Sequence, residues 1–312
     1  MDVVLLFPGQ GSQKPSMGKD LYDTFPAARA VFDEADRVLG FPLSTLCFEG
    51  PTEQLTLTQN AQPALLVHGA AIWSVLRDKL GAAVRAAAGH SLGELTAYHA
   101  AGSLSLADAV RLVRRRGELM YESGVQRPGT MAAILGEPSE SIEAICAKAT
   151  AEVALVSPAN YNCPGQVVIS GEEAGVERAM TLAKAAGAKR AIKLNVSGAF
   201  HSALMEPALD GLTHALNKAS FGDPAFPVFA NVNARPVTAA VDARELLRRQ
   251  LTSPVRWTEE VAALSKAFPN ATYVEAGPGA VLVGLVRKIA PAVRTMTCGT
   301  AAEVTQLLEL AA

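Results

Sequence analysis

The chain carries three hydropathy patterns: unbroken apolar runs, apolar positions at helical spacing, and short strands set between helices. The first run is Val3-Val4-Leu5-Leu6-Phe7, stopped by Pro8-Gly9. Five consecutive apolar residues leave no polar face, which suits a strand buried on both sides in a parallel sheet. Helical spacing follows near 18–39 and 61–80. A second strand is expected over Ala82-Ala83-Val84 and Ala86-Ala87-Ala88, then helices over 93–101 and near 105–122. Val228-Phe229-Ala230 and Thr272-Tyr273-Val274-Glu275 read as later strands of the same sheet. This alternation predicts an α/β core.

Residues 130 to 196 follow another order. Met131–Leu135 reads as a strand, and Ser139–Ala149 as a helix begun by Pro138 and Ser139. Val153–Val156 and Gln166–Ser170 read as strands separated by a loop rich in Pro, Asn and Gly. Glu173–Ala186 is a helix stopped by Gly187, and Ala191–Val196 a last strand. The order βαββαβ is that of a ferredoxin-like unit. The expected organisation is a core over 1–125 and 198–312, with a small ferredoxin-like subdomain inserted at 126–197.

A length of 312 residues fits a core plus an insert better than one enlarged core. A net charge of −2 gives no reason to expect nucleic acid or a membrane surface as partner. No run of about 18 apolar residues occurs, so no membrane-spanning helix is expected. The first residues lack the basic start and the long apolar stretch of a secretory signal. Cys47, Cys146, Cys163 and Cys298 form no CxxC pair and no zinc-like spacing with histidine. They read as reduced thiols of a cytoplasmic protein, and no metal site is expected.

The segment Gly89-His90-Ser91-Leu92-Gly93-Glu94 has the form of a nucleophile elbow, Gly-x-Ser-x-Gly, between a strand and a helix. A serine on so sharp a turn is pushed out of the sheet, and the next N–H, of Leu92, points where an oxyanion forms. Gly9-Gln10-Gly11-Ser12 lacks both the Lys-Ser/Thr of a P-loop and the third glycine of a dinucleotide fingerprint. A strand-end turn lending the N–H or side chain of Gln10 to an oxyanion hole is the better reading.

A serine nucleophile needs a base. Of five histidines, His90 adjoins Ser91 and points to the opposite side of the strand end. His99 lies roughly 12 Å along the elbow helix, and His68 and His214 fall inside helical patterns. His201, in a loop after a strand, is left as the candidate base. Arg116 is the second informative residue. It falls on the apolar face made by Ala109, Leu112, Val113 and Met120, whereas Arg111, Arg114 and Arg115 fall opposite. A buried guanidinium needs a partner. Two readings stand: a structural ion pair or snorkelling stem, or a clamp for a substrate carboxylate. The second selects an acyl group with a free carboxylate at its far end.

These motifs together resemble the malonyl-CoA:acyl-carrier-protein transacylase family over essentially the whole chain. The matching segments are Phe7–Gln13, Gln62-Pro63-Ala64, Gly89–Glu94, Arg116-Gly117, Asn160–Gln166, Ser197–Ser202 and Glu275–Gly279. The resemblance implies a hydrolase-like core with a ferredoxin-like insert. It also implies a Ser91/His201 dyad without an acidic third member. His201 is then oriented by the main-chain carbonyl of Gln250, and Gln10 and Leu92 form the oxyanion hole. Arg116 binds the malonyl carboxylate, Gln62 lines the pocket, and Phe200 leaves no room for a 2-methyl branch. The implied reaction is ping-pong transfer from malonyl-CoA to acyl carrier protein in fatty acid synthesis, with no bound cofactor. Ala199 and Ala280 depart from the family's usual Pro and Lys. Lys189, Arg190, Lys193, Arg244, Arg248 and Arg249 are candidates for docking an acidic carrier, against the plainer reading of solvated charge. The rivals are a serine esterase or thioesterase, the malonyl-loading subunit of a malonate decarboxylase, a polyketide acyltransferase, and a carrier-binding scaffold.

Overall fold

The computed structural model describes residues 1–311. Its larger sheet contains β1 (Val3–Phe7), β2 (Val84–Gly89), β7 (Val228–Phe229), β8 (Pro236–Val237), β9 (Thr272–Glu275) and β10 (Arg294–Thr297), in the order β10-β9-β1-β2-β7-β8. Only β8 runs antiparallel to its neighbour. Strand β1 is central and buried along its whole length. Val3, Leu5 and Phe7 enter one apolar core and Val4 and Leu6 the other, so the unbroken run follows from two covered faces. Phe7 is in register with Gly89, which sets the Gly9-Gln10 turn beside the elbow.

The smaller sheet contains β3 (Thr130–Leu135), β4 (Val156–Cys163), β5 (Gln166–Gly171) and β6 (Arg190–Lys193), ordered β4-β5-β3-β6 and antiparallel throughout. Helices Ile142–Glu152 and Glu173–Ala185 cover one face around a third apolar core.

Several expected boundaries move. The 18–39 pattern is two helices, Lys19–Thr24 and Pro26–Leu39, because Pro26 removes a donor and restarts the helix at its first position. Helices Leu43–Glu49 and Thr52–Thr56 were not expected. The next helix begins at Thr58, not 61, with Pro63 inside it. The helix expected from Ser139 starts at Ile142, where the Ser141 side chain caps it by accepting from Ala144 N–H. The Pro- and Asn-rich segment expected as a loop is most of β4. It pairs with β5 across irregularities near Pro158 and Tyr161, which a purely local reading of turn formers misses. Strand β6 ends at Lys193, short of Val196. Among the described residues no helix is long and apolar enough to cross a membrane.

Candidate active site

The elbow is a steric construction. A Cβ on Gly89 would lie 1.9 Å from the Gly93 carbonyl carbon, and one on Gly93 would lie 2.0 Å from the Phe7 carbonyl oxygen. Helix Leu92–Ala100 can therefore press against the ends of β1 and β2 only with glycine at both places. Between them Ser91 is held at φ 53°, ψ −106°, a conformation few L-residues adopt. Its N–H donates to Asn231 Oδ1 at 2.8 Å.

Ser91 Oγ lies 2.8 Å from His201 Nε2. His201, also at positive φ (57°), turns Nδ1 toward the main-chain carbonyls of Gln250 and Ser253, at 3.0 and 3.2 Å. Carbonyls only accept, so Nδ1 carries the proton and Nε2 is the bare nitrogen facing the serine. Among the described residues no carboxylate stands at Nδ1. Burial first, and the Arg116 charge second, push the His201 pKa down to about 3, so the free ring is a neutral base.

Arg116, from helix Leu106–Gln126, is 2% exposed. Nη1 donates to Gln62 Oε1 at 2.6 Å, and Nη2 to Gln250 Oε1 at 2.9 Å and Ser91 Oγ at 3.1 Å. Neither an ion pair nor a snorkelled stem accounts for it, because every acceptor is neutral and the head group is buried. Burial lowers its pKa to about 10, which leaves it charged at neutral pH.

Gln10, Gln62, Ser91, Leu92, Arg116, Phe200 and His201 line one cavity of about 120 Å³, closed by Met120, Met131 and Val196. Gln250 lies behind it, fully buried. The Gln10 side-chain oxygen accepts from Thr58 Oγ1 at 2.6 Å. The main-chain N–H groups of Gln10 and Leu92 donate to no protein acceptor among the described residues, so two donors remain for an oxyanion. A larger cavity of about 990 Å³, near Val31, Trp73 and Phe226, holds none of these groups. Chemistry rather than size locates the site.

His90 also borders this cavity, but its ring is engaged elsewhere. Its Nε2 meets Asn162 Oδ1 of β4 at 2.8 Å, and its ring packs on Trp257. Of the basic docking candidates, Lys193 pairs with Glu173, Arg248 pairs with Glu245, and Arg244 stacks over Phe221. Sequence reasoning missed Asn231, Glu94 and Glu260, all fully buried behind the elbow. Glu94 had a signal: a carboxylate in the first turn of a helix with no other acidic or Lys/Arg side chain.

The acyl transferase domain family matches residues 4–303. The malonyl CoA-acyl carrier protein transacylase of Bacillus subtilis is 50% identical over 94% of this chain and 92% of its own. A solved acyl-carrier-protein S-malonyltransferase from Bartonella henselae superposes with a TM-score of 0.94 at 42% identity, covering 100% of this chain and 99% of that one. A malonyl-transacylase solved in complex with a holo type II polyketide acyl-carrier protein gives 0.94 at 43% identity, covering 99% and 100%. This chain belongs to the malonyl CoA-acyl carrier protein transacylases of the acyl transferase domain family.

Proposed function

We propose that the protein moves a malonyl group from malonyl-CoA to the phosphopantetheine thiol of an acyl carrier protein through a malonyl ester of Ser91, supplying fatty acid synthesis. The observation that carries this reading is the buried Arg116 guanidinium beside the nucleophile, with only neutral oxygens as acceptors. A plain acyl chain offers it nothing, whereas a malonyl carboxylate supplies the missing anion.

In this reading His201 Nε2 takes the Ser91 hydroxyl proton as Oγ attacks the thioester carbonyl. The oxyanion is held by the N–H groups of Gln10 and Leu92. Collapse breaks the C–S bond, and His201 returns its proton to the CoA thiolate. The carrier thiol then gives its proton to His201 and attacks the ester, and the serine leaves with that proton. The Gln250 and Ser253 carbonyls keep the tautomer and stabilise the transient imidazolium, the task an acidic third residue performs elsewhere. Gln62 aims Arg116, and Phe200 narrows the cavity against 2-methyl-branched acyl groups. No step calls for a bound cofactor.

The parallel sheet with its elbow supports a hydrolase-like core over 1–125 and 198–312. The 4-5-3-6 strand order with two helices on one face supports a ferredoxin-like subdomain over 126–197. The four free, buried thiols suit a reducing cytoplasm.

The test is intact-protein mass spectrometry. Malonyl-CoA should load one malonyl group, absent from Ser91→Ala, and holo acyl carrier protein should remove it. An adduct lost equally fast without the carrier overturns the transferase reading in favour of a thioesterase.

A further inference from the structure

A buried cation with no carboxylate beside it needs an account. All three acceptors of Arg116 are neutral oxygens. The carboxylate whose field reaches the guanidinium is that of Glu94, fully buried and itself in contact with no cation. Between them stands Gln250. Its Oε1 accepts from Arg116 Nη2 at 2.9 Å, and its Nε2 donates to Glu94 Oε2 at 2.7 Å and to Ser91 O at 2.9 Å. The carbonyl end of the amide thus faces the cation and the NH2 end faces the anion. Turned over, it would set NH2 against guanidinium and oxygen against carboxylate, losing two charge-assisted hydrogen bonds.

The same Glu94 oxygen accepts from Asn231 N–H at 3.1 Å, and Asn231 Oδ1 accepts from Ser91 N–H at 2.8 Å. Glu260 joins from helix Trp257–Ala267, its Oε1 accepting from Asn231 Nδ2 at 2.8 Å. Burial and the nearby Glu94 push Glu260 well above the usual carboxylate range. Glu94, raised by burial to about 7, is the charged member above that pH.

We propose that Glu94 is a positioning residue that acts on Arg116 through Gln250. It is the guanidinium's counter-charge, held one amide away, so that Arg116 stays charged and aimed yet unsaturated. A carboxylate in direct contact would occupy the N–H groups that a substrate carboxylate needs. At one amide's remove it balances the charge, fixes the direction of the amide, and leaves two of the five guanidinium N–H groups unclaimed by the three bonds above. The inference rests on the reading that Arg116 receives the malonyl carboxylate.

The test compares malonyl-CoA with acetyl-CoA as donors to holo acyl carrier protein at pH 8, as kcat/KM. Glu94→Gln keeps an oxygen for Gln250 and Asn231 but removes the charge. The malonyl/acetyl ratio is expected to fall roughly tenfold, the loss of one charge-assisted hydrogen bond, over and above any change common to both donors. The charge swap Glu94→Gln/Gln250→Glu keeps the buried composition and the carbonyl at residue 250, and guards against a single variant that does not fold. It pairs Arg116 directly with a carboxylate and should lower the ratio further. A ratio kept within about threefold in both, or an equal loss on both donors, overturns the proposal. Arg116→Met separates the two levels. If it leaves the ratio intact, the malonyl reading itself fails; if it lowers the ratio and the Glu94 variants do not, only the role of Glu94 fails.

Discussion

Arg116 Nη2 lies 3.1 Å from Ser91 Oγ, the same oxygen that faces His201 Nε2 at 2.8 Å. The group that would recognise the substrate's far end thus rests, in the free protein, on the nucleophile. On the proposed reading, a carboxylate entering the cavity competes for the guanidinium and releases the serine. It also sets an anion near the cation that depresses His201, which raises the basicity of that ring. On that reading, recognition and activation are coupled through one side chain.

Arg116→Met should therefore cost malonyl transfer far more than acetyl transfer. Two charge-assisted hydrogen bonds to a carboxylate correspond to roughly a hundredfold or more in kcat/KM. Acetyl transfer should hold or rise, since Ser91 loses a competing donor. Steady-state kinetics with both donors decides this, and equal losses would sink the clamp.

The His201 ring should be neutral where an ordinary histidine is charged. Burial and Arg116 both disfavour the cation, so the shift from 6.5 to about 3 is downward. At pH 5.5 an unperturbed histidine is mostly protonated, whereas His201 should show the neutral form protonated at Nδ1. Nitrogen-15 NMR of selectively labelled protein reads this directly. Arg116→Met should move the titration upward; an imidazolium signal in the wild type at pH 5.5 would contradict the electrostatic account.

Gly93→Ala should unfold the elbow rather than merely slow the chemistry. Its Cβ would sit 2.0 Å from the Phe7 carbonyl oxygen, where backbone meets backbone and no flexible side chain can yield. The expected loss is about 3 kcal/mol or more, measured by urea denaturation followed by the fluorescence of Trp73 and Trp257. Gly102→Ala is the control: no atom lies within 4 Å of its added Cβ, and only the strain of φ 74° acts there. Equal losses in the two variants would refute the steric argument.

Much of this protein was legible from local pattern. Val3–Phe7 announces a doubly covered strand because no residue in it can face water. The elbow announces itself because two glycines and a serine at that spacing mark a sharp strand-to-helix turn: the approach of Gly89 to Gly93 is local, whereas the contact of Gly93 with Phe7 is made only in the fold. The position of Arg116 on an apolar face followed from helical spacing, and the residue is 2% exposed. The segment 157–163 was misread because its Pro and Asn residues are turn formers by local propensity, and pairing with β5 overrides that preference.

Local sequence thus determined which segments must be buried and where the backbone must bend, since hydropathy and turn chemistry are written in consecutive residues. The tertiary structure alone decided the electrostatics. Ser91, Arg116, His201 and Gln250 come from four separate stretches, and nothing local says that Arg116 would meet amides instead of acids. Nor does anything local say that Gln250 would serve His201 with its main chain and Arg116 with its side chain. Glu94 stands inside the most legible motif of the chain, yet its partners Gln250 and Asn231 are more than 130 residues away. A buried charge is defined by what surrounds it, and only the folded chain brings those surroundings together.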